Sequence, residues 1–160
     1  GQVLDQALRR GCGRALVYCN SLSGAVDFPA LAEETGLRIV TPLEVYRELA
    51  PQYRTLGVIA ANAQGLSGIE QVLLEANPRL NLLGACALQA VLDVEAGVPP
   101  EELVERRCLA ELAGWFDGCG AEALVLGCTH FPYFKEARAA RTTLPLVDPA
   151  VEMLRLLTAL

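Results

Sequence analysis

Gly118-Cys-Gly-Ala-Glu-Ala-Leu-Val-Leu-Gly-Cys-Thr-His130 opens on a glycine turn, runs on as unbroken apolar chain, and ends in a thiol, a hydroxyl and an imidazole. An apolar run without polar alternation is what a strand covered on both faces looks like, and such strands build parallel sheets. Ala123–Leu126 is one such strand. Arg14–Cys19, Leu37–Val40, Leu56–Ala60, Leu80–Gly84 and the short Leu144–Val147 read the same way, the second of them stopped by Thr41-Pro42. Amphipathic stretches lie between them. Asp27 is placed to cap a helix over Pro29–Glu34 that Gly36 stops. Leu43–Leu49 and Ile69–Glu75 carry apolar residues three and four apart. Pro99-Pro100 opens a long helix to about Phe116, and Asp148-Pro149 opens the last, through Val151, Leu154 and Leu157. Strand and helix thus alternate about six times, which predicts an α/β fold of doubly wound βα units around a parallel sheet.

Working outward, the same phrase occurs earlier. Gly11-Cys-Gly-Arg-Ala-Leu-Val-Tyr-Cys-Asn-Ser21 is again a G-C-G turn, an apolar strand, and a cysteine followed by hydrogen-bonding residues. Two copies this far apart fit two pseudo-symmetric halves rather than a solenoid. Residues 1–40 with 142–160 are expected to form a partial first α/β half, and 41–141 the second.

Composition removes several function classes. Net charge is −6, and Lys135 is the sole lysine, so no basic face offers itself to nucleic acid. There is no G-x-x-x-x-G-K-[ST] loop and no G-x-G-x-x-G. No apolar run approaches the roughly 18 residues a bilayer crossing needs, and no basic-then-apolar leader is visible, so no membrane partner and a cytoplasmic location are expected. In that compartment Cys12, Cys19, Cys86, Cys108, Cys119 and Cys128 read as reduced thiols; lacking paired C-x-x-C spacing, they do not suggest a zinc site.

Ligands of open α/β sheets bind beyond the carboxyl ends of the strands, where Cys19 and Cys128 fall. A thiol at a helix N-terminus loses pKa, and from about 3% thiolate at pH 7 a modest depression makes it a usable base. Two such thiols across a cleft perform one particular reaction: the thiolate takes a proton from a carbon, the thiol returns one to the opposite face, and the centre is inverted without metal or organic cofactor. Asn20, Ser21, Ser23, Thr129 and His130 add donors for a carboxylate, and His130, the only histidine, lies where it can relay a proton to Cys128. The competing reading is structural: strand cysteines are commonly inert core, a lone histidine commonly packs, and Ser21 and Ser23 serve as caps. Cys12, Cys86, Cys108 and Cys119 are assigned to core, Tyr18, Trp115 and Phe116 to packing, and Val91–Glu95 and Glu101-Glu102 to solvated helix faces without partners.

Leu126-Gly-Cys-Thr-His-Phe-Pro132 resembles the signature of the aspartate/glutamate racemase family, in which glutamate racemases read L-G-C-T-H-Y-P. Leu16-Val-Tyr-Cys-Asn-Ser21 is similar to the family's first cysteine motif, C-N-T. Leu56–Ala60 looks like the strand opening its second half, Ala85-Cys86 with Glu95-Ala-Gly97 resembles a weaker A-C-P…V-E-x-G segment, and Val147-Asp-Pro149 resembles the turn into its last helix. The likeness runs from about residue 11 to the end. It implies that Cys19 and Cys128 are the catalytic acid/base pair, with His130 handling protons beside Cys128. Asn20, Ser21, Thr129 and His130 would hold an acidic amino acid, no cofactor would be needed, and a homodimer is possible. Glutamate racemases supply D-glutamate to the bacterial cell wall. The family's D-S-G-x-G-G strand and its tyrosine–glycine motif should stand upstream of C-N-T, yet only 18 residues precede Cys19. The first half is therefore expected to be incomplete and the 160 residues alone to racemise poorly. C-N-S-L-S also replaces C-N-T-A-S, so Leu22 is expected to put bulk beside the cleft. Two rivals stand beside racemisation. One is another carbanion enzyme of the superfamily, a decarboxylase or hydantoin racemase; a decarboxylase needs only one of the two cysteines. The other is a non-catalytic carboxylate-binding or regulatory module.

Overall fold

The computed structural model describes residues 2–139 and 142–159. Two parallel sheets organise it. The smaller pairs β1 (Arg14–Leu16) with β2 (Arg38–Val40). The larger contains β3 (Thr55–Ala60), β4 (Asn81–Cys86), β5 (Ala123–Gly127) and β6 (Leu146–Val147) in the order β4-β3-β5-β6, every pair parallel. The continuous apolar runs do what a doubly covered strand must: β5 is buried along its whole length, as is β3 from Leu56 on. Alternate residues serve opposite faces. Leu56, Val58 and Ala60, with Ala123 and Val125, pack on Tyr46, Ile69 and Leu73. Ile59, Leu124 and Leu126 face Leu103, Phe116, Phe131 and Phe134. One face is covered by α4 (Pro42–Leu49) and α5 (Ala63–Ala76). Opposite lie α6 (Leu88–Glu95), α7 (Pro100–Arg106) and α8 (Leu109–Gly118).

Local chemistry sets the boundaries. Asp27 accepts from the Ala30 N–H to start α3 (Phe28–Thr35), and Gly36, left-handed at φ +69°, ends it. Thr41 and Glu44 form a reciprocal capping box on α4. Asn62 caps α5 through Gly65 N–H, and Asp148 caps α10 (Pro149–Thr158) through Ala150 N–H. Met153 and Leu156 of α10 close over Val40 of the small sheet and Val45 of α4, whereas β6 just before it adds to the large sheet. No helix of the described residues is long and apolar enough to cross a membrane.

Several expectations are corrected. The single helix from Pro99 to Phe116 is two, because Cys108 adopts φ +51° between α7 and α8 while Arg107 beside it clamps Asp93 with two hydrogen bonds, 2.6 and 3.0 Å. Arg107 holds the Asp93 carboxyl below the usual carboxylate range. Cys12, Cys86, Cys108 and Cys119 are exposed rather than core, since they sit in turns, at the end of edge strand β4 and between helices. Phe116 is fully buried, but Trp115 is 49% and Tyr18 38% exposed. The strand expected to reach Cys19 ends at Leu16, and α1 (Gln2–Arg9), which buries no residue, was not expected at all.

Gly127 closes β5 where the backbone must pass tightly. A Cβ there would stand 2.6 Å from Ile69 Cδ1 and 3.0 Å from the Ile59 carbonyl oxygen. Gly127→Ala should cost about 1–3 kcal/mol through overpacking, read as a lower thermal midpoint; an unchanged midpoint would mean that α5 gives way freely.

Candidate active site

Cys19 and Cys128 come to one cleft. Val17 still pairs with Val40 beyond the end of β1, and the chain then delivers Cys19 as the N-cap of α2 (Asn20–Ala25). Cys128 follows directly on β5. Both line one cleft of about 200 Å³. Asn20 and Ser21 accompany the first thiol, Thr129 and His130 the second, so all six residues singled out by sequence as catalytic or substrate-binding share this space. Ser23 does not line it: it is buried, and its hydroxyl donates to the Cys19 carbonyl at 2.6 Å. Leu22 does not line it either and is 48% exposed; the apolar bulk comes from Leu88 and Val91 of α6. The G-C-G turns that lead into β1 and β5 both use a left-handed glycine, Gly11 at φ +77° and Gly120 at φ +82°.

The thiols are not equivalent. Burial pushes the Cys128 thiol above its ordinary range; the backbone N–H of His130 pulls it back, the nearby Cys19 raises it further, and the Thr129 N–H lowers it. That corrects the expectation of a depressed pKa at Cys128. A tight turn and a 3₁₀ segment, Phe131–Phe134, follow it instead of an α-helix, so no long dipole offsets desolvation. His130 places Nδ1 3.6 Å from Cys128 Sγ, and its Nε2 lies 2.5 Å from Glu95 Oε1. With the carboxylate accepting from Nε2–H, the Nδ1 lone pair faces the thiol. The sequence alone does not single out Glu95, which falls in a stretch expected to be solvated and unpartnered. Both acids there have partners, Asp93 through Arg107 and Glu95 through His130. The sequence signal for Glu95 is its place in Glu95-Ala-Gly97.

Among the described residues that line the cleft, the donors available to a carboxylate are Asn20, Ser21, Asn62, Thr129 and His130, with no arginine or lysine. Asn20, only 6% exposed, has no hydrogen-bond partner for Nδ2 among the described residues, and Ser21 and Thr129 line the cleft with the thiols. Among the described residues no group of three or more His, Cys, Asp or Glu side chains could hold a metal ion. A second cavity of about 190 Å³ near Arg38 and Phe28 carries neither thiol nor imidazole.

No family model matches the chain. A glutamate racemase of Thermus thermophilus is 34% identical over 139 residues, 83% of this chain and 49% of that protein. The crystal structure of glutamate racemase from Francisella tularensis subsp. tularensis in complex with D-glutamate is similar at TM-score 0.78 and 20% identity, over 98% of this chain and 59% of that one. An arylmalonate decarboxylase has the same fold at TM-score 0.63 and 21% identity, over 98% of this chain and 75% of its own. The chain spans about half the length of the curated relatives it matches.

Proposed function

We propose that this chain, a homologue of the glutamate racemases, carries a site that inverts Cα of an acidic amino acid, glutamate or aspartate, by passing protons between Cys19 and Cys128 without a cofactor. The observation that carries the reading is that both thiols line one cleft; burial, which raises the Cys128 thiol, favours its protonated form. Asn20 Nδ2, Ser21 Oγ and Thr129 hold the substrate carboxylates. One cysteine, as thiolate, takes the Cα proton, and the electron pair delocalises into the adjacent carboxylate. The other, as thiol, delivers its proton to the opposite face. One C–H bond breaks and one forms; the thiols exchange protonation states, and His130 with Glu95 restores Cys128. The shared fold of a decarboxylase does not separate the two chemistries; the second thiol favours inversion, because a decarboxylation returns a proton to one face only.

Incubation with L- and D-glutamate and with aspartate in deuterium oxide, without pyridoxal phosphate, is the test: deuterium should enter Cα and each enantiomer should yield the other. Calorimetric binding without exchange would replace this reading with a non-catalytic carboxylate-binding module. The pH profile carries its own sign. Turnover needs one thiol ionised and one protonated, so kcat/KM is lost at low pH when both are protonated and at high pH when both are ionised. Burial raises Cys128, so the alkaline limb should lie above the ordinary thiol value of about 8.5; a limb at or below it contradicts the assignment of Cys128 as the resting acid.

A further inference from the structure

Tyr46 is fully buried on α4, in an apolar cluster with Ile69 and Leu73 where a phenylalanine ring would pack equally well. Its hydroxyl does something a phenyl ring cannot: it donates to Asn20 Oδ1 at 2.6 Å, joining α4 to the first residue of α2. Burial pushes the phenol far above its ordinary pKa, so it remains O–H across the physiological range with one proton to place. Among the described residues Asn20 Oδ1 is the acceptor it finds. A side-chain amide has an acceptor end and a donor end, and only rotation distinguishes which one faces a ligand. With Oδ1 held by Tyr46, Nδ2 is turned the other way, buried and unpaired among the described residues, on a residue that lines the cleft with both thiols. Buried donors are ordinarily paired, so this one has a hydrogen bond left to give.

We propose that Tyr46 is a positioning residue of the reaction: through its hydroxyl it locks the Asn20 amide with Nδ2 facing the cleft, set to donate to a substrate carboxylate. The proposal rests on the racemase reading for the identity of the ligand, and on the hydrogen bond alone for the orientation.

Tyr46→Phe tests it, with glutamate as the probe, by calorimetry and by the concentration dependence of deuterium exchange at Cα. Half-saturation should rise about tenfold, the worth of one well-placed hydrogen bond, with the maximal exchange rate within about twofold. In an Asn20→Ala background the same substitution should add nothing. Unchanged half-saturation in Tyr46→Phe, or a second full penalty on top of Asn20→Ala, would overturn the proposal. Asn20→Asp covers the case in which the tyrosine variant does not fold. It keeps an acceptor for Tyr46 but turns the cleft-facing end into another acceptor, and should lose at least tenfold in affinity with an intact thermal transition; unaltered affinity in a folded protein counts against us. If the unsubstituted protein neither binds nor exchanges glutamate or aspartate, the racemase reading fails by itself. The Tyr46–Asn20 link is then read from the Asn20 Nδ2 amide proton resonances, assigned by their loss in Asn20→Ala. Tyr46→Phe should shift them and speed their exchange with water, and unmoved resonances would refute the link.

Discussion

Cys19→Ala and Cys128→Ala should each lower the inversion of glutamate at Cα by at least about 10³-fold, within the range that loss of a general acid or base commands. Inversion needs a base on one face and an acid on the other, and the cleft supplies one thiol from the end of each sheet. Removing either leaves a one-sided site, which still has chemistry. The remaining thiolate can take a proton from the enantiomer whose Cα–H faces it, exchange that proton with solvent and return it to the same face. Each variant should therefore label one enantiomer with deuterium without inverting it, and the two variants should choose opposite enantiomers. This signature separates a two-thiol site from a nucleophilic cysteine or a structural one. A structural cysteine would show its loss in the thermal midpoint and affect both enantiomers alike; near-normal inversion in either variant removes the mechanism.

How far the chain could be read without coordinates follows from the range of the interactions involved. β3 and β5 were legible because a strand covered on both faces writes its burial into consecutive residues, and both are buried almost throughout. Asp27 and Asp148 announced helix starts because a cap acts over two or three residues, whereas Thr41 read only as the stop of a strand. What stayed hidden depends on partners distant in sequence. The break at Cys108 has no glycine or proline to mark it and accompanies the clamp of Arg107 on Asp93, 14 residues away. Glu95 meets His130 across 35 residues, and Tyr46 meets Asn20 across 26. Periodicity assigned the helix bearing Asp93 and Glu95 a solvated face because two carboxylates two residues apart look alike in sequence. In the fold Asp93 is 7% exposed and ion-paired, whereas Glu95 remains open to solvent and reaches the cleft's imidazole. The strand-end cysteines could be placed because topology alone carries them to the ligand edge of the sheets; the raised pKa of Cys128 could not be foreseen, since it depends on what buries the thiol.

His130→Gln is expected to reduce kcat/KM by about 10²-fold, at the lower end of what proton-transfer groups contribute. Glu95→Gln should cost less, about tenfold, because Glu95 is 65% exposed at its side chain and solvent screens its charge. The geometry dictates how the loss divides. Glu95 fixes the imidazole with Nδ1 toward Cys128 Sγ at 3.6 Å, so in the proposed mechanism His130 serves that thiol. Among the described residues Cys19 has no side-chain hydrogen-bond partner of its kind; it caps α2 without one. Enantiomers have equal free energy in water, so the equilibrium constant is one and kcat/KM must fall equally in both directions, whichever residue is changed. The asymmetry has to appear elsewhere. Where Cys128 is the base, its proton abstraction becomes more nearly rate-limiting in His130→Gln, and the primary deuterium isotope effect at Cα should rise. Where Cys19 is the base, that first transfer is unaffected while delivery from Cys128 slows, so the isotope effect should fall. Isotope effects that move together in both directions would mean that His130 serves the site as a whole, by binding substrate, and that its line to Cys128 carries no proton.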